Sequence, residues 1–119
     1  MDEKWLLLVE DDPLFVTLFQ RSWKKGQPSV PLRVARTLAE MTEQLQAAEQ
    51  PPLLIIMDKT LPDGDGHEVG LALNIPVHCW SATDDAGVGA KPTGKAALES
   101  SVDELAALAG LPIGRSPSL

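Results

Sequence analysis

The sequence predicts an α/β domain built on a parallel sheet with helices on both faces. Three observations carry this. Solid apolar runs occur at 5–9 and 53–57, and a third, largely apolar strand is expected at 76–80, the pattern of strands buried on both faces rather than one. Helix-period stretches lie between and after these runs, the alternation expected of a parallel sheet. Polar residues able to do chemistry, Glu10, Asp11, Asp58 and Ser81, follow directly on the runs. They therefore fall at the carboxyl ends of the strands, where such sheets keep their functional crevice.

Each element has a local reason. The first strand ends at Glu10, and Asp12-Pro13 reads as a helix start, with the carboxylate as N-cap and proline at the first helical position. That helix runs to about Lys25 with Leu14, Phe15, Leu18, Phe19 and Trp23 on one face, and stops at Gly26. After a turn at 28–31 comes a short strand at 32–35. Leu38, Met41, Leu45 and Ala48 then recur at helical spacing. Pro51-Pro52 breaks the chain before the second strong strand, which ends at Asp58. Residues 59–66, rich in Pro, Asp and Gly, read as a loop, followed by a short helix at 67–73 closed by Asn74. The strand at 76–80 leads into 81–90, which has little periodicity. A last helix is predicted from Thr93 to about Ala109, with Gly110 ending it. Residues 1–110 are thus expected to form one domain, and 111–119 a flexible tail.

Composition narrows the function. A chain of 119 residues fits one domain, and a core of that size folds without a structural metal or disulfide. Cys79 is the single cysteine, which suits a reducing cytoplasmic setting. No apolar run approaches the ~20 residues of a membrane span, and no secretory start is visible. A net charge of −7 disfavours nucleic acid and anionic lipid as partners.

Three carboxylates at adjacent strand ends repel one another, and unpaired, at least one would be pushed toward protonation. A hard divalent cation relieves this, and a few carboxylates plus waters suit Mg²⁺. An aspartate beside such an ion can attack phosphorus to give an acyl phosphate. The transferring group then needs its oxygens neutralised by the metal, an ammonium and a hydroxyl. Lys91, just before Pro92, and Ser81 can supply the last two.

The segments LLLVEDD, LLIIMDKTLPDGDG, VHCWSA and GAKP stand in that order. Together they resemble the receiver domains of two-component response regulators. The resemblance runs from residue 5 to about 108. It implies a flavodoxin-like, doubly wound parallel sheet of five strands. It implies that Glu10 and Asp11 hold Mg²⁺ together with Asp58 and the backbone carbonyl of Thr60. It makes Asp58 the phosphoacceptor, with Ser81 binding a phosphoryl oxygen and Lys91 pairing with the acyl phosphate. The expected partners are a sensor histidine kinase or phosphotransfer protein upstream and a protein target downstream, in the cytoplasm. Such a domain is no enzyme beyond its own phosphorylation and dephosphorylation. If the chain is complete, the absence of any effector sequence leads to the expectation of a single-domain regulator; as a piece of a longer protein it would be that protein's receiver.

Two departures from that family pattern stand out. Lys91 follows Ser81 by only ten positions, with nine residues between them, where the family fits a fourth helix and a fifth strand. A parallel crossover takes about a dozen residues or more, so the fourth helix is expected to be absent or reduced to a loop, and the segment mobile. If 88–90 is a vestigial strand, six extended residues reach about 20 Å and still close the connection. In addition, the aromatic residue that the family commonly carries three positions before the lysine is here Val88, and the chain has no tyrosine. The usual readout therefore cannot operate in its ordinary form.

Other polar residues have plainer roles. Asp12 reads as an N-cap, Asp63 and Asp65 as turn residues, and Asp84-Asp85 as a solvated loop. A calcium loop centred on Gly66 would need ligands at Leu61 and Ala72, so that reading fails. His67 and His78 lack a ligand pattern around them. A pseudo-receiver, a docking module never phosphorylated, stays open because degenerate members lose parts. A haloacid-dehalogenase-like phosphotransferase would want an aspartate where Thr60 stands. A metal nuclease using Glu10 with Asp63 and Asp65 would place two ligands in a turn.

Overall fold

The computed structural model describes residues 4–82 and 88–112. In chain order it contains β1 (Leu6–Val9), α1 (Pro13–Gly26), β2 (Leu32–Ala35), α2 (Leu38–Ala47), β3 (Leu54–Asp58) and β4 (Thr60–Leu61). These are followed by β5 (Gly64–Asp65), α3 (Gly66–Leu71), β6 (Val77–Ser81), β7 (Gly89–Ala90) and α4 (Lys95–Leu108). Strands β2-β1-β3-β6-β7 form, in that order, one five-stranded sheet in which every pair is parallel. This is the doubly wound, flavodoxin-like sheet that the sequence predicts.

Side-chain alternation explains why the strands read as unbroken apolar runs. Leu6, Leu8, Leu54, Ile56 and Trp80 enter one core with α1 and α4. Trp5, Leu7, Val9, Ile55 and Met57 enter the other, on the side of α2 and α3. Successive residues feed opposite faces, and both faces are covered. On the first side Phe15, Phe19, Trp23 and Gly26 are the buried stripe of α1. A Cβ on Gly26 would lie 2.8 Å from Val102 Cγ1, so this glycine lets α4 pack closely on α1. Asp12 caps α1 as expected, accepting from the N–H groups of Leu14 and Phe15.

Several expectations need correction. Leu14 and Leu18 are 67% and 39% exposed, because the core face of α1 follows the i, i+4 stripe and leaves them beside it. The loop after Asp58 contains an antiparallel hairpin, β4 with β5. Helix α3 starts at Gly66 and is only six residues long. The chain packs beyond residue 110: Leu111 is buried, and Gln27 Nε2 donates to the Pro112 carbonyl at 2.6 Å. The rest of the expected tail, 113–119, lies outside the described residues. So do 83–87, which hold most of the segment expected to be mobile and both Asp84 and Asp85. Among the described residues there are four helices, none of them between β6 and β7. β7 pairs only with Trp80 and Ser81, at the carboxyl end of β6, so the chain need not return along the whole strand.

Candidate functional site

The parallel register brings the carboxyl ends of β1, β3 and β6 level. Val9 is opposite Met57, and Asp58 is opposite Trp80. Glu10 therefore emerges beside Asp58, with Ser81 next in line. The Glu10 N–H donates to the Ala35 carbonyl, and the Lys59 N–H donates to the Trp80 carbonyl, which pins these strand ends. Ligand oxygens of Glu10, Asp11 and Asp58 all lie within 4.8 Å of one another, and no other such acidic, His or Cys group occurs among the described residues. Glu10 and Asp58 are buried, and Asp11 is exposed. The trio is thus a floor and wall with one open side.

Lys91 closes it. Its Nζ lies 2.6 Å from Glu10 Oε1 and 3.5 Å from Asp58 Oδ2. The first contact is an ion pair by distance, although Glu10 Oε1 receives no well-aimed hydrogen bond. Backbone geometry aims the lysine: the Lys91 N–H donates to the Ser81 carbonyl at 2.9 Å, so β7 hands it to the rim beside Ser81. Burial pushes the Glu10 carboxyl above its ordinary value, and the Asp58 charge adds to this, while Lys91 and the Asp12 N–H oppose it. Burial by itself would lower the Lys91 pKa, but Glu10 and Asp58 outweigh it and hold the ammonium above its usual value. The two carboxylates thus favour the charged lysine, and Lys91 in turn opposes the effect of burial on Glu10.

Five of the residues singled out in the sequence, Glu10, Asp11, Asp58, Ser81 and Lys91, therefore meet at one rim. Thr60 is exposed on β4, and its N–H donates to Asp58 Oδ1 at 3.3 Å, orienting the carboxylate. Gly66 lies close beneath: a Cβ there would be 2.2 Å from the Asp58 carbonyl oxygen. Among the described residues the two histidines belong to no such group; burial lowers the His78 pKa, as for a packed neutral ring.

Three contacts were not foreseen. Asp63 accepts from the N–H groups of Leu38 and Ala39, at 2.9 and 3.0 Å, so the hairpin after Asp58 caps α2 from across the chain. Asp65 caps α3 through the Glu68 N–H and pairs with Lys59 at 3.0 Å. The Asp65-x-x-Glu68 spacing is a readable capping signal; nothing local announces Asp63. Finally, Lys91 Nζ lies 4.4 Å from the centre of the Phe15 ring.

No protein-family profile and no curated protein matches this chain. Solved structures do. The phosphorylated cyanobacterial phytochrome response regulator RcpA superposes with a TM-score of 0.74 at 22% identity, covering 98% of this chain and 100% of its own. The fold is that of a receiver domain. The Mn²⁺-bound response regulator Rcp1 gives a TM-score of 0.71 at 25% identity, covering 94% of this chain and 99% of its own. A response regulator receiver protein from Burkholderia phymatum gives 0.74 at 20% identity, covering 95% of this chain and 100% of its own. The acidic trio sits at the strand ends of this receiver fold, where an open parallel sheet places its ligand crevice.

Proposed function

We propose that this chain is a phosphoacceptor receiver. It takes a phosphoryl group onto Asp58 with Mg²⁺ and signals to a protein partner. The observation that carries the reading is the convergence of Glu10, Asp11 and Asp58 within 4.8 Å, faced by Lys91 at 2.6 and 3.5 Å.

The residues fit a hard divalent cation. Three carboxylates at one open-sided site offer oxygen donors only, and Glu10 is buried with a raised pKa that a second cation would relieve. Glu10, Asp11, Asp58 and the backbone carbonyl of Thr60 would hold it. When bound, the ion neutralises phosphoryl oxygens as charge develops on them. The Mn²⁺ of Rcp1 and the phosphorylated state of RcpA, both receivers of this fold, support the same reading here.

The chain's own residues do the rest. The Thr60 N–H holds one Asp58 oxygen, fixing the attacking carboxylate. A bond forms from Asp58 to phosphorus while the bond from phosphorus to the donor breaks, and the donor keeps that electron pair. The donor is a phosphohistidine on a sensor kinase or phosphotransfer protein, or acetyl phosphate in the test tube. Lys91 turns from Glu10 and the Asp58 carboxylate to a phosphoryl oxygen of the new acyl phosphate, and the Ser81 hydroxyl donates to another phosphoryl oxygen. No substrate is turned over beyond this acyl phosphate. The domain works in the cytoplasm. With Val88 in place of an aromatic switch, the hairpin that ties Asp58 to α2 and α3 is the route by which the change leaves the site.

Intact-mass measurement after treatment with acetyl phosphate and Mg²⁺ tests this. The wild type gains one phosphoryl group and Asp58→Ala gains none. A wild type that gains nothing and whose tryptophan fluorescence ignores Mg²⁺ would be a docking module instead.

A further inference from the structure

Lys91 has an unusual third neighbour. Its ammonium can donate three hydrogen bonds. The ion lies 2.6 Å from Glu10 Oε1, 3.5 Å from Asp58 Oδ2 and 4.4 Å from the centre of the Phe15 ring. The side chain of Lys91 is only 11% exposed, so most of the water that would solvate this ion is gone. An aromatic face attracts a desolvated cation through its quadrupole, which an aliphatic side chain of the same size cannot do. The ring itself is fixed. Phe15 sits in the first turn of α1, just after the Asp12 cap, and is 8% exposed. It stacks on Phe19 at 6.0 Å and meets the Trp80 ring edge-on at 5.6 Å.

Resting on the phosphoacceptor reading, we propose that Phe15 is a positioning residue for phosphorylation, its ring face holding the Lys91 ammonium aimed at Asp58 while that ammonium exchanges its partner. Before reaction the lysine leans on Glu10 and Asp58. Once a cation engages those carboxylates and phosphorus arrives, the lysine must leave Glu10 for a phosphoryl oxygen. Of these three neighbours, the ring is the one that neither the metal nor the phosphoryl group takes over. It keeps the ammonium from relaxing toward solvent during the exchange.

The test separates ring electronics from packing. Phe15→Leu keeps an apolar side chain, and its Mg²⁺ binding and cooperative unfolding are expected to persist. Its phosphorylation by acetyl phosphate should slow roughly tenfold, the scale of a desolvated cation–ring contact. Phe15→Tyr should restore the rate, and stepwise fluorination of a phenylalanine placed at 15 should lower it progressively. The inference is overturned by a Leu variant as fast as wild type, by a loss that Tyr does not restore, or by rates indifferent to fluorination. A readout free of activity covers the remaining case: the Lys91 side-chain protons should show a ring-current shift that disappears in Phe15→Leu, and its absence in the wild type also overturns the inference. A wild type that shows the shift but is never phosphorylated would sink the phosphoacceptor reading, and with it the positioning role.

Discussion

Replacing Lys91 by methionine should expose how far the site depends on one cation. The stem is retained and the charge is lost. At an effective dielectric of 20, contacts of 2.6 and 3.5 Å correspond to attractions of about 6 and about 5 kcal/mol. Desolvation of the lysine and of Glu10, which is fully buried, offsets much of this. Breaking a buried pair from one side leaves the other charge stranded, and the expected net loss is about 3–5 kcal/mol at neutral pH without metal. Glu10 can escape by taking a proton. Its folded pKa already stands above the unfolded value, so its contribution is fully present at acid pH and is lost as pH rises through the folded pKa. Removing Lys91 raises that pKa further, so the deficit of the variant should shrink on acidification and grow toward alkaline pH. Mg²⁺ should stabilise the variant more than the wild type, since the ion then meets three uncompensated carboxylates. Urea unfolding followed by tryptophan fluorescence, with EDTA or Mg²⁺ at several pH values, measures all three effects. A variant within about 1 kcal/mol of wild type at neutral pH without metal, or a deficit flat with pH, would refute the reasoning.

Further outcomes follow from single contacts. Gly66→Ala sets a Cβ 2.2 Å from the Asp58 carbonyl oxygen and 2.8 Å from Met57 Cγ, so thermal unfolding should show a loss at or above about 3 kcal/mol. Asp63→Ala removes the acceptor for the Leu38 and Ala39 N–H groups, and hydrogen exchange at those two amides should accelerate while that of β3 does not. The His78 pKa is lowered by burial, so its contribution is present above its unfolded value of about 6.5 and is lost as pH falls through the folded pKa. The His78→Gln variant should therefore lose stability less steeply than wild type on mild acidification. Asp58→Asn should abolish phosphoryl incorporation while leaving the fold intact by circular dichroism.

Where a signal was local, the sequence was legible. Asp12-Pro13 announced the start of α1, and the solid runs at β1 and β3 announced strands covered twice. That Glu10, Asp11, Asp58, Ser81 and Lys91 lie together could be read because strand ends of a parallel sheet are level, so residues far apart in sequence share one rim. Contacts set by the packing of distant elements left no such mark. The Asp63 cap on α2 joins residues 25 apart in the chain through a hairpin whose existence no periodicity revealed. Leu14 and Leu18 have the right spacing for a core stripe, and only the crossing of α1 over the sheet decides that Phe15 and Phe19 win. Phe15 read as a packing residue, since nothing in a phenylalanine foretells the ion above it.

The two-residue length of β7 has a further consequence. Lys91 hangs from that strand, whose ladder to β6 spans only Trp80 and Ser81. The cation that balances the acidic cluster is thus moored to the sheet's shortest tether. Local opening there requires little backbone to unzip, and it would withdraw the ammonium and leave the carboxylates mutually repelling. Whatever grips Lys91 from above therefore also fastens the sheet's margin, coupling occupancy of the rim to the breathing of its outermost strand.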